Sequence, residues 1–303
     1  MKFGEVPLEE ALDAILAHSV RLADGVMRKG RVLDAGDIAR LRTAGHDAVT
    51  AARLEDGDLD ENQAALRLAE TFQTAGLTAS GGRTGRANLR ANAAGVALID
   101  AETIHRMNAV NEALTISTVR PFDSVAEGQV TATVKVITFG VSADTVDACA
   151  AIARSGVPPV RVAPYDATLR VGFIQTILPG LKDSIVAKAT ATTTARLSEM
   201  GLSIFRELHC DHSPDAVSDA LRTLSEASCD IVLVLGASAI VDRRDTVPAA
   251  VVRAGGEIDH LGLPVDPGNL MLFAGLGKMR ILGIPGSARS PRLHGFDWVL
   301  QRL

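Results

Sequence analysis

Hydrophobic and polar positions change spacing several times along the chain, and each change predicts a new element. Between residues 167 and 303, short apolar runs such as Ile231–Leu235 alternate with segments whose apolar positions recur every three or four residues. Strands that alternate with helices in this way predict a parallel sheet covered by crossover helices. Strands are predicted at 169–176, 202–208, 231–235 and 257–261, helices at 184–200, from Pro214, at 246–253 and from Pro291, and a hairpin at 270–284.

The first 166 residues predict two smaller units that mix helices and strands. In residues 1–60, helical spacing from Pro7 onward predicts an opening helix, followed by strands at 20–22 and 48–54 around a helix at 37–44. The elements predicted for residues 61–166 are helices at 61–75, 101–111 and 143–154, strands at 95–99, 113–119 and 130–139, a glycine-rich loop at 80–86 and a linker at 157–166. The predicted fold class is therefore α/β, with a parallel-sheet domain at 167–303 preceded by α+β units at 1–60 and 61–166.

Composition limits the kinds of partner that the chain can have. It has 303 residues, a net charge of −5 and only 3% aromatic residues, which argues against a nucleic-acid surface built from stacking side chains. The three cysteines lack C-x-x-C spacing, so neither a disulfide framework nor a structural zinc site is predicted. Residues 1–19 contain several acidic residues and no continuous apolar segment, and no later run approaches about 18 apolar residues. A cytoplasmic protein without a membrane span is predicted.

The polar residues after the predicted strands form the candidate site, because ligands of open α/β sheets bind beyond the carboxyl ends of the strands. These ends include 176–183 and 211–212, and they should converge on one crevice. Gly236 to Asp245 join a buried strand to a helix and so offer backbone N–H groups to an anion. The charged residues of this turn are Asp242, Arg243, Arg244 and Asp245. A second turn, suited to a phosphate, comprises Pro285, Gly286, Ser287, Ala288, Arg289 and Ser290.

Three other features admit more than one interpretation. Asp183 either contributes to the site or caps the predicted helix that follows it. Arg83 and Arg86, with Arg90 close by, either cradle an anion or belong to a mobile solvated loop. The run 209–212 contains histidine, cysteine and aspartate, but neighbouring side chains at a strand end point to opposite faces, so a metal site is not favoured there.

Several motifs carry a family resemblance. The turn 236–245 is similar to the Gly-Gly-x-Ser/Thr-x-Gly-x-x-Asp turn of the molybdopterin-binding domain shared by MoeA-type molybdenumtransferases and MogA/MoaB-type adenylyltransferases. Pro267-Gly268-Asn269 and the segment 284–290 resemble the Pro-Gly and Leu-Pro-Gly-Asn-Pro-x-Ser motifs of the MoeA branch. The segments 28–33 and 37–45 also resemble the start of MoeA-type chains.

The resemblance implies a molybdopterin-binding protein of molybdenum cofactor biosynthesis. The pterin would lie in the crevice of residues 167–303, with its phosphate near Ser238 or the Gly286 turn. Molybdopterin is the implied ligand, Mg²⁺ or molybdate are further candidates, and a homodimer is implied because MoeA-type proteins are dimers with composite sites. The implied binding residues are Gly236, Ser238, Arg243, Pro267, Gly268, Pro285, Gly286, Ser287, Arg289, Ser290, Arg83 and Arg86.

The resemblance leaves open whether the chain is a carrier or a catalyst. In a molybdenumtransferase, Asp183, Asp242 and Asp245 would hold a divalent ion or molybdate. Ala237 and Ile240 replace glycines of the family turn, and the Asp-Gly-Tyr-Ala motif of MoeA-type enzymes is missing, which favours a carrier. A CinA-like nucleotide pyrophosphatase is another alternative, whereas a Rossmann module is disfavoured because no G-x-G-x-x-G follows the strand at 169–176. The pattern also resembles bacterial chains in which such a module precedes a nucleotidyltransferase domain, which predicts a partner of that kind downstream.

Overall fold

The apolar positions form separate cores before and after Tyr165. The computed structural model describes residues 1–303, and these fold into two units, Met1–Pro164 and Tyr165–Leu303. The elements of the first unit are β1 (Lys2–Pro7), β2 (Ile15–Leu16), β3 (Val20–Leu22), β4 (Gly25–Met27), α1 (Ala35–Thr43), β5 (Ala48–Arg53), β6 (Asp58–Asp60), α2 (Glu61–Glu70), β7 (Leu77–Arg83), β8 (Arg86–Ala91), β9 (Gly95–Ile99), α3 (Ala101–Asn108), β10 (Leu114–Thr118), β11 (Ser124–Val125), β12 (Val130–Val136), β13 (Gly140–Ser142), α4 (Ala143–Arg154) and β14 (Val160–Pro164). Those of the second unit are β15 (Val171–Ile177), α5 (Asp183–Ser198), β16 (Ile204–Asp211), α6 (Pro214–Glu226), β17 (Ile231–Leu235), α7 (Thr246–Ala254), β18 (Glu257–Leu261), β19 (Leu272–Leu276), β20 (Met279–Ile284) and α8 (Gly295–Leu300). None of the helices combines the length and the apolar character that crossing a lipid bilayer requires.

The start of the chain forms a strand where its spacing predicts a helix. β1 pairs antiparallel with β5 over its whole length, from Lys2 opposite Arg53 to Pro7 opposite Ala48. Only a single 3₁₀ turn, Leu8–Glu10, follows it. Leu8 and Leu16 are both buried without belonging to one helix, whereas Leu12 between them is exposed. The predicted opening helix is therefore wrong, and long-range strand pairing is the reason.

The glycine-rich segment forms two strands of a hairpin, so the predicted loop at 80–86 is also wrong. β7 and β8 pair antiparallel around Thr84 and Gly85, which both have positive φ, 51° and 65°. Two positive φ values in a two-residue loop match the twist of a hairpin. Asn62 Oδ1 accepts a hydrogen bond from the Gly85 amide at 2.9 Å, and Lys135 Nζ donates to Thr84 O at 2.7 Å. These bonds tie the turn to α2 and β12.

The predicted linker 157–166 contains the strand β14, which pairs antiparallel with β9 and therefore belongs to the first unit. Two separate clusters of buried side chains lie in this unit, one between Val6 and Ala51 and one between Ala64 and Val162. We retain a boundary near residue 60 as a proposal.

The second unit is built on one six-stranded sheet with the order β16-β15-β17-β20-β19-β18. β16, β15, β17 and β20 are parallel to one another, whereas β19 runs antiparallel between β20 and β18. Val171 and Phe173 belong to a buried cluster on the α5 side, and Ile174 belongs to a second cluster with residues of α6 and α7. The predicted α/β class, with helices on both faces of a mainly parallel sheet, is confirmed.

The strand order creates a crevice at one end of this sheet. The chain passes from β15 to β16 on one side and then returns to place β17 on the other side of β15. The connections after β15 and β17 therefore diverge, and the carboxyl ends of these strands border the kind of opening in which open α/β sheets bind ligands. The helix predicted from Pro291 begins instead at Gly295, capped by His294.

Candidate ligand site at the strand ends

The turn after β17 starts with a glycine that has no room for a side chain. A Cβ atom at Gly236 would lie 2.8 Å from the carbonyl oxygen of Ser238, so only glycine allows the chain to fold back here. Ser238 and Ala239 are exposed, and their backbone N–H groups make no hydrogen bond within the chain. The turn thus presents two adjacent donors to solvent, as anion-binding turns do.

A buried hydroxyl fixes the first part of this turn. The Ala237 N–H donates to Thr176 Oγ1 at 2.7 Å, and the same hydroxyl lies 2.9 Å from His212 Nδ1. Because Thr176 accepts from Ala237, its own proton can be donated to His212 Nδ1. The ends of β15 and β16 and the turn after β17 therefore meet, as the sequence predicts. The Ala237 amide is already occupied and is not one of the free donors that the sequence pattern suggests.

The two carboxylates of the turn bind its own backbone. Asp245 accepts from the Thr246 N–H at 2.7 Å, which caps α7, and from the Val241 N–H at 3.1 Å. Asp242 Oδ1 accepts from the backbone N–H and Nε of Arg244, at 2.9 and 3.1 Å, and these hydrogen bonds lower the pKa of Asp242. Arg243 is exposed. The concentration of charge in this turn therefore has a local explanation, namely loop closure and helix capping.

Arg289 brings the second predicted turn to the first. Gly286–Arg289 form a single 3₁₀ turn after β20, and Arg289 Nη2 donates to the carbonyl oxygen of Gly236 at 3.2 Å. The Nε–H of this half-buried arginine is shielded from solvent and has no partner. Burial lowers the pKa of Arg289, although an arginine remains charged. A half-buried guanidinium that has an unused donor and is bonded to the turn carrying the exposed Ser238 and Ala239 amides suits an anionic oxygen.

A second arginine, which sequence reasoning missed, holds the Gly286 turn in place. Arg196 of α5 is 8% exposed and donates to Ala288 O at 2.6 Å and Ser290 O at 2.5 Å. Its Nε also pairs with Asp297 of α8 at 2.5 Å. Ser290 therefore contributes a carbonyl group to the framework of the turn.

Asp183 lines a cavity to which no residue of the Gly236 turn contributes. It is the first residue of α5, so it does not cap the helix; the capping position belongs to Lys182. A surface cavity of about 610 Å³ includes Asp183 in its wall. The cavity lining consists of Ile177, Leu181, Asp183, Val186, Ala187, Thr190, Ala191, Glu207 and His209.

The remaining predicted residues have other surroundings. Pro267 O accepts from the Gly295 N–H at 3.0 Å, and a Cβ at Gly268 would lie 3.0 Å from Gly295 Cα, so this loop packs on the start of α8. Pro285 O accepts from the Ala288 N–H, and Ser287 is exposed on the Gly286 turn. The other two, Arg83 and Arg86, lie in the first unit, directly opposite each other beside the β7–β8 turn.

The comparisons with known proteins give one partial family match and distant structural matches. Residues 5–53 match a family model described as a domain of unknown function (DUF8806), and no curated protein sequence matches the chain significantly. A solved structure of the molybdopterin biosynthesis MoeA protein from Pyrococcus horikosii covers 94% of this chain and 70% of its own, with 12% identity and a TM-score of 0.29. A structure of MogA covers 40% of this chain and 85% of its own, with 18% identity and a TM-score of 0.27.

Proposed function

We propose that residues 165–303 bind molybdopterin, or a closely related pterin with a phosphate group, at the turns that follow β17 and β20. The phosphate would lie between the exposed amides of Ser238 and Ala239 and the guanidinium of Arg289. The observation that supports this most is the buried Nε–H of Arg289, which has no partner although Nη2 is bonded to Gly236 O. An unsatisfied buried donor costs about 1–3 kcal/mol, and an anionic oxygen would satisfy it.

The hydrogen bonds within the Gly236 turn also favour a role in ligand binding over a role in metal transfer. Asp242 and Asp245 both accept hydrogen bonds from their own loop, so their oxygens are partly occupied before any ion arrives. Asp183 lies in the wall of a cavity that does not include either of them. A molybdenumtransferase remains the alternative, in which these three carboxylates would come together on a divalent ion or molybdate.

The proposed function extends to the location, oligomeric state and partner that the sequence predicts. The chain would act in the cytoplasm as a homodimer and deliver its ligand to a nucleotidyltransferase domain or protein. Arg83 and Arg86 would contact anionic groups of the ligand from the partner subunit.

The experiment compares two fluorescent probes, 6-hydroxymethylpterin and its phosphate ester, by fluorescence anisotropy. We expect the ester to bind about tenfold to a hundredfold more tightly, because a charge-assisted hydrogen bond contributes roughly 1.5–3 kcal/mol. Arg289→Gln should remove most of this difference. Ser238→Ala should leave it largely intact, since the proposed donor there is a backbone amide.

The matched control is Arg292→Gln, because Arg292 is exposed on the same segment. Circular dichroism checks that the variants are folded. Equal affinity of the wild-type protein for the two probes, or equal effects of Arg289→Gln and Arg292→Gln, would place the phosphate elsewhere.

A further inference from the structure

The surface cavity between α5 and the edge of the sheet is chemically different from the Arg289 site. Most of its wall is apolar, with small side chains at Ala187 and Ala191 that leave space beside the helix. Its polar groups are those of Asp183, Thr190, Glu207 and His209, so the cavity has two carboxylates and no arginine or lysine. A volume of about 610 Å³ is in the usual range for a surface cleft that binds a small organic molecule.

Glu207 is held in a fixed orientation by three donors, all on one oxygen. Gln175 Nε2, Thr190 Oγ1 and His209 Nε2 lie 2.8, 2.7 and 2.8 Å from Glu207 Oε1. Gln175 itself is buried, and its Nε2 also lies 3.2 Å from Val186 O. The other carboxylate oxygen, Oε2, has no hydrogen-bond partner within the chain.

Glu207 is ionised near neutral pH. Burial by itself would raise the pKa of this carboxyl, but the hydrogen bonds from His209, Thr190 and Gln175 outweigh it and lower the pKa. Because the carboxylate is ionised, His209 donates from Nε2. The cavity therefore presents Glu207 Oε2 as a charged acceptor in a fixed orientation, without a hydrogen-bond donor of its own.

The ligand that fits this acceptor is organic. No group of three histidine, cysteine, aspartate or glutamate side chains in residues 1–303 is placed to hold a metal ion. An anion would be repelled by Asp183 and Glu207. An apolar wall with one fixed acceptor instead suits a flat heterocycle whose edge carries N–H donors.

We infer that this cavity binds the aminopyrimidinone edge of a planar nitrogen heterocycle, the edge that pterins and guanine share, with its amino group donating to Glu207 Oε2. Pterin is the favoured source, and to that extent the inference rests on the proposed function. Two elements lead from the cavity to the proposed phosphate site: Ile177 of its wall follows Thr176, whose hydroxyl binds the Gly236 turn, and α5 also carries Thr192, whose Oγ1 lies 3.5 Å from Arg289 O. Glu207 and His209 then determine which ring is accepted.

The test uses heterocycles without phosphate, so that Arg289 has no part in the result. Binding of pterin and of lumazine, which has a carbonyl in place of the amino group, is measured on the full chain by fluorescence. We expect pterin to bind at least tenfold more tightly than lumazine, because a site built around a donor rejects the analogue without it. Glu207→Gln should weaken pterin binding about tenfold or more and reduce this preference.

Two further variants separate a change of binding from a change of fold. Ala187→Phe fills the cavity without touching the Glu207 hydrogen bonds, and it should abolish pterin binding. Glu226→Gln alters an exposed glutamate of α6 outside the cavity and should have no effect.

The outcomes distinguish this inference from the proposed function. If Arg289→Gln weakens binding of the phosphate ester but Glu207→Gln and Ala187→Phe do not affect pterin, the inference fails and the proposed function stands. Guanosine binding that exceeds inosine binding and depends on Glu207, without pterin binding, would support the aminopyrimidinone edge and overturn pterin as its source. Equal binding of pterin and lumazine would overturn the inference altogether.

Discussion

At the residue scale, Thr176 links three parts of the candidate site through one hydroxyl group. Its side chain is buried, accepts from the Ala237 N–H at 2.7 Å and lies 2.9 Å from His212 Nδ1. Valine has nearly the same shape but can neither accept nor donate. Replacing Thr176 by valine therefore tests how much the Gly236 turn depends on a single hydroxyl group.

We expect Thr176→Val to lower the free energy of unfolding by about 1–3 kcal/mol, because the Ala237 N–H would lose its acceptor. The measurement is urea unfolding, together with hydrogen exchange of the Ala237 amide, which should become faster. Thr115→Val on the exposed face of β10 is the control and should change stability by at most about 0.5 kcal/mol. Equal effects of the two substitutions would show that the hydroxyl is not needed.

Glu207 should also make stability depend on pH. Burial alone would raise the pKa of this carboxyl in the folded chain, but hydrogen bonds outweigh it and lower the pKa, whereas the pKa of an unfolded glutamate is about 4.3. Below that pH the unfolded chain takes up a proton more readily than the folded chain does. The stabilisation from Glu207 is therefore complete above the unfolded pKa and is lost as the pH falls through the folded pKa.

We expect the wild-type protein to lose more stability than Glu207→Gln between pH values of about 5.5 and 3.5, around the unfolded pKa. Urea unfolding of both proteins across this interval gives the difference directly. The subtraction removes the contribution of the other carboxylates. Parallel pH profiles would mean that the Glu207 hydrogen bonds do not affect its ionisation.

At the element scale, α5 contributes side chains both to the cavity and to the region of the proposed phosphate site. Thr190 contacts Glu207 in the cavity, Thr192 approaches Arg289 O, and Arg196 binds the Gly286 turn and Asp297. These side chains lie within two helical turns. A shift of this helix would therefore alter the cavity and the proposed phosphate site together.

In the first unit, the β7–β8 turn allows a sharp test of a close contact. Gly85 and Gly128 have similar positive φ values, 65° and 75°, but a Cβ at Gly85 would lie 2.7 Å from Val136 O, whereas Gly128 faces open space. Gly128→Ala should cost roughly 1–2 kcal/mol of unfolding free energy from backbone conformation alone. We expect Gly85→Ala to cost at least about 1 kcal/mol more, because a steric clash is added to the unfavourable backbone conformation. Urea unfolding measures both, and equal losses would show that the turn moves away freely.

At the scale of the whole molecule, the second unit contains its own cores. The buried clusters on the two faces of its sheet consist of residues between Val171 and Leu300. A chain of this length can bury enough apolar surface to fold alone. Its stability should therefore not require the first unit.

We expect residues 165–303, expressed alone, to unfold cooperatively on heating and to bind the phosphate ester of 6-hydroxymethylpterin. Circular dichroism follows the unfolding, and fluorescence anisotropy follows the binding. The full chain serves as the reference for both measurements. A sloping transition without cooperativity would mean that the unit depends on Met1–Pro164.

The sequence by itself determined the elements whose signals are local. The helices predicted at 143–154 and from Pro214 form, capped by Ser142 and Ser213, and the apolar run Ile231–Leu235 forms a buried strand with the predicted bounds. Capping requires only a side-chain oxygen beside the first turn, and a fully buried parallel strand requires only apolar residues. The α/β class and the meeting of the strand ends follow from this alternation.

Only the tertiary structure decided features that depend on distant partners. Lys2–Pro7 form a strand because Ala48–Arg53 lie beside them, and the glycine-rich segment forms a hairpin because Asn62 and Lys135 bind its turn. Glycine spacing alone does not distinguish such a hairpin from a loop, since both need positive φ.

The same limit applies to the candidate site. The sequence singled out the Gly236 and Gly286 turns, but not that Asp242 and Asp245 would bind their own backbone or that Arg289 would keep a free buried donor. It also missed Arg196 and Glu207, although the alternation of Glu207 and His209 along a strand places both on one face. Hydrogen-bond partners up to about a hundred residues apart decide which polar groups are occupied and which remain free for a ligand. That choice is set by packing in three dimensions, because it depends on distances that no local pattern encodes.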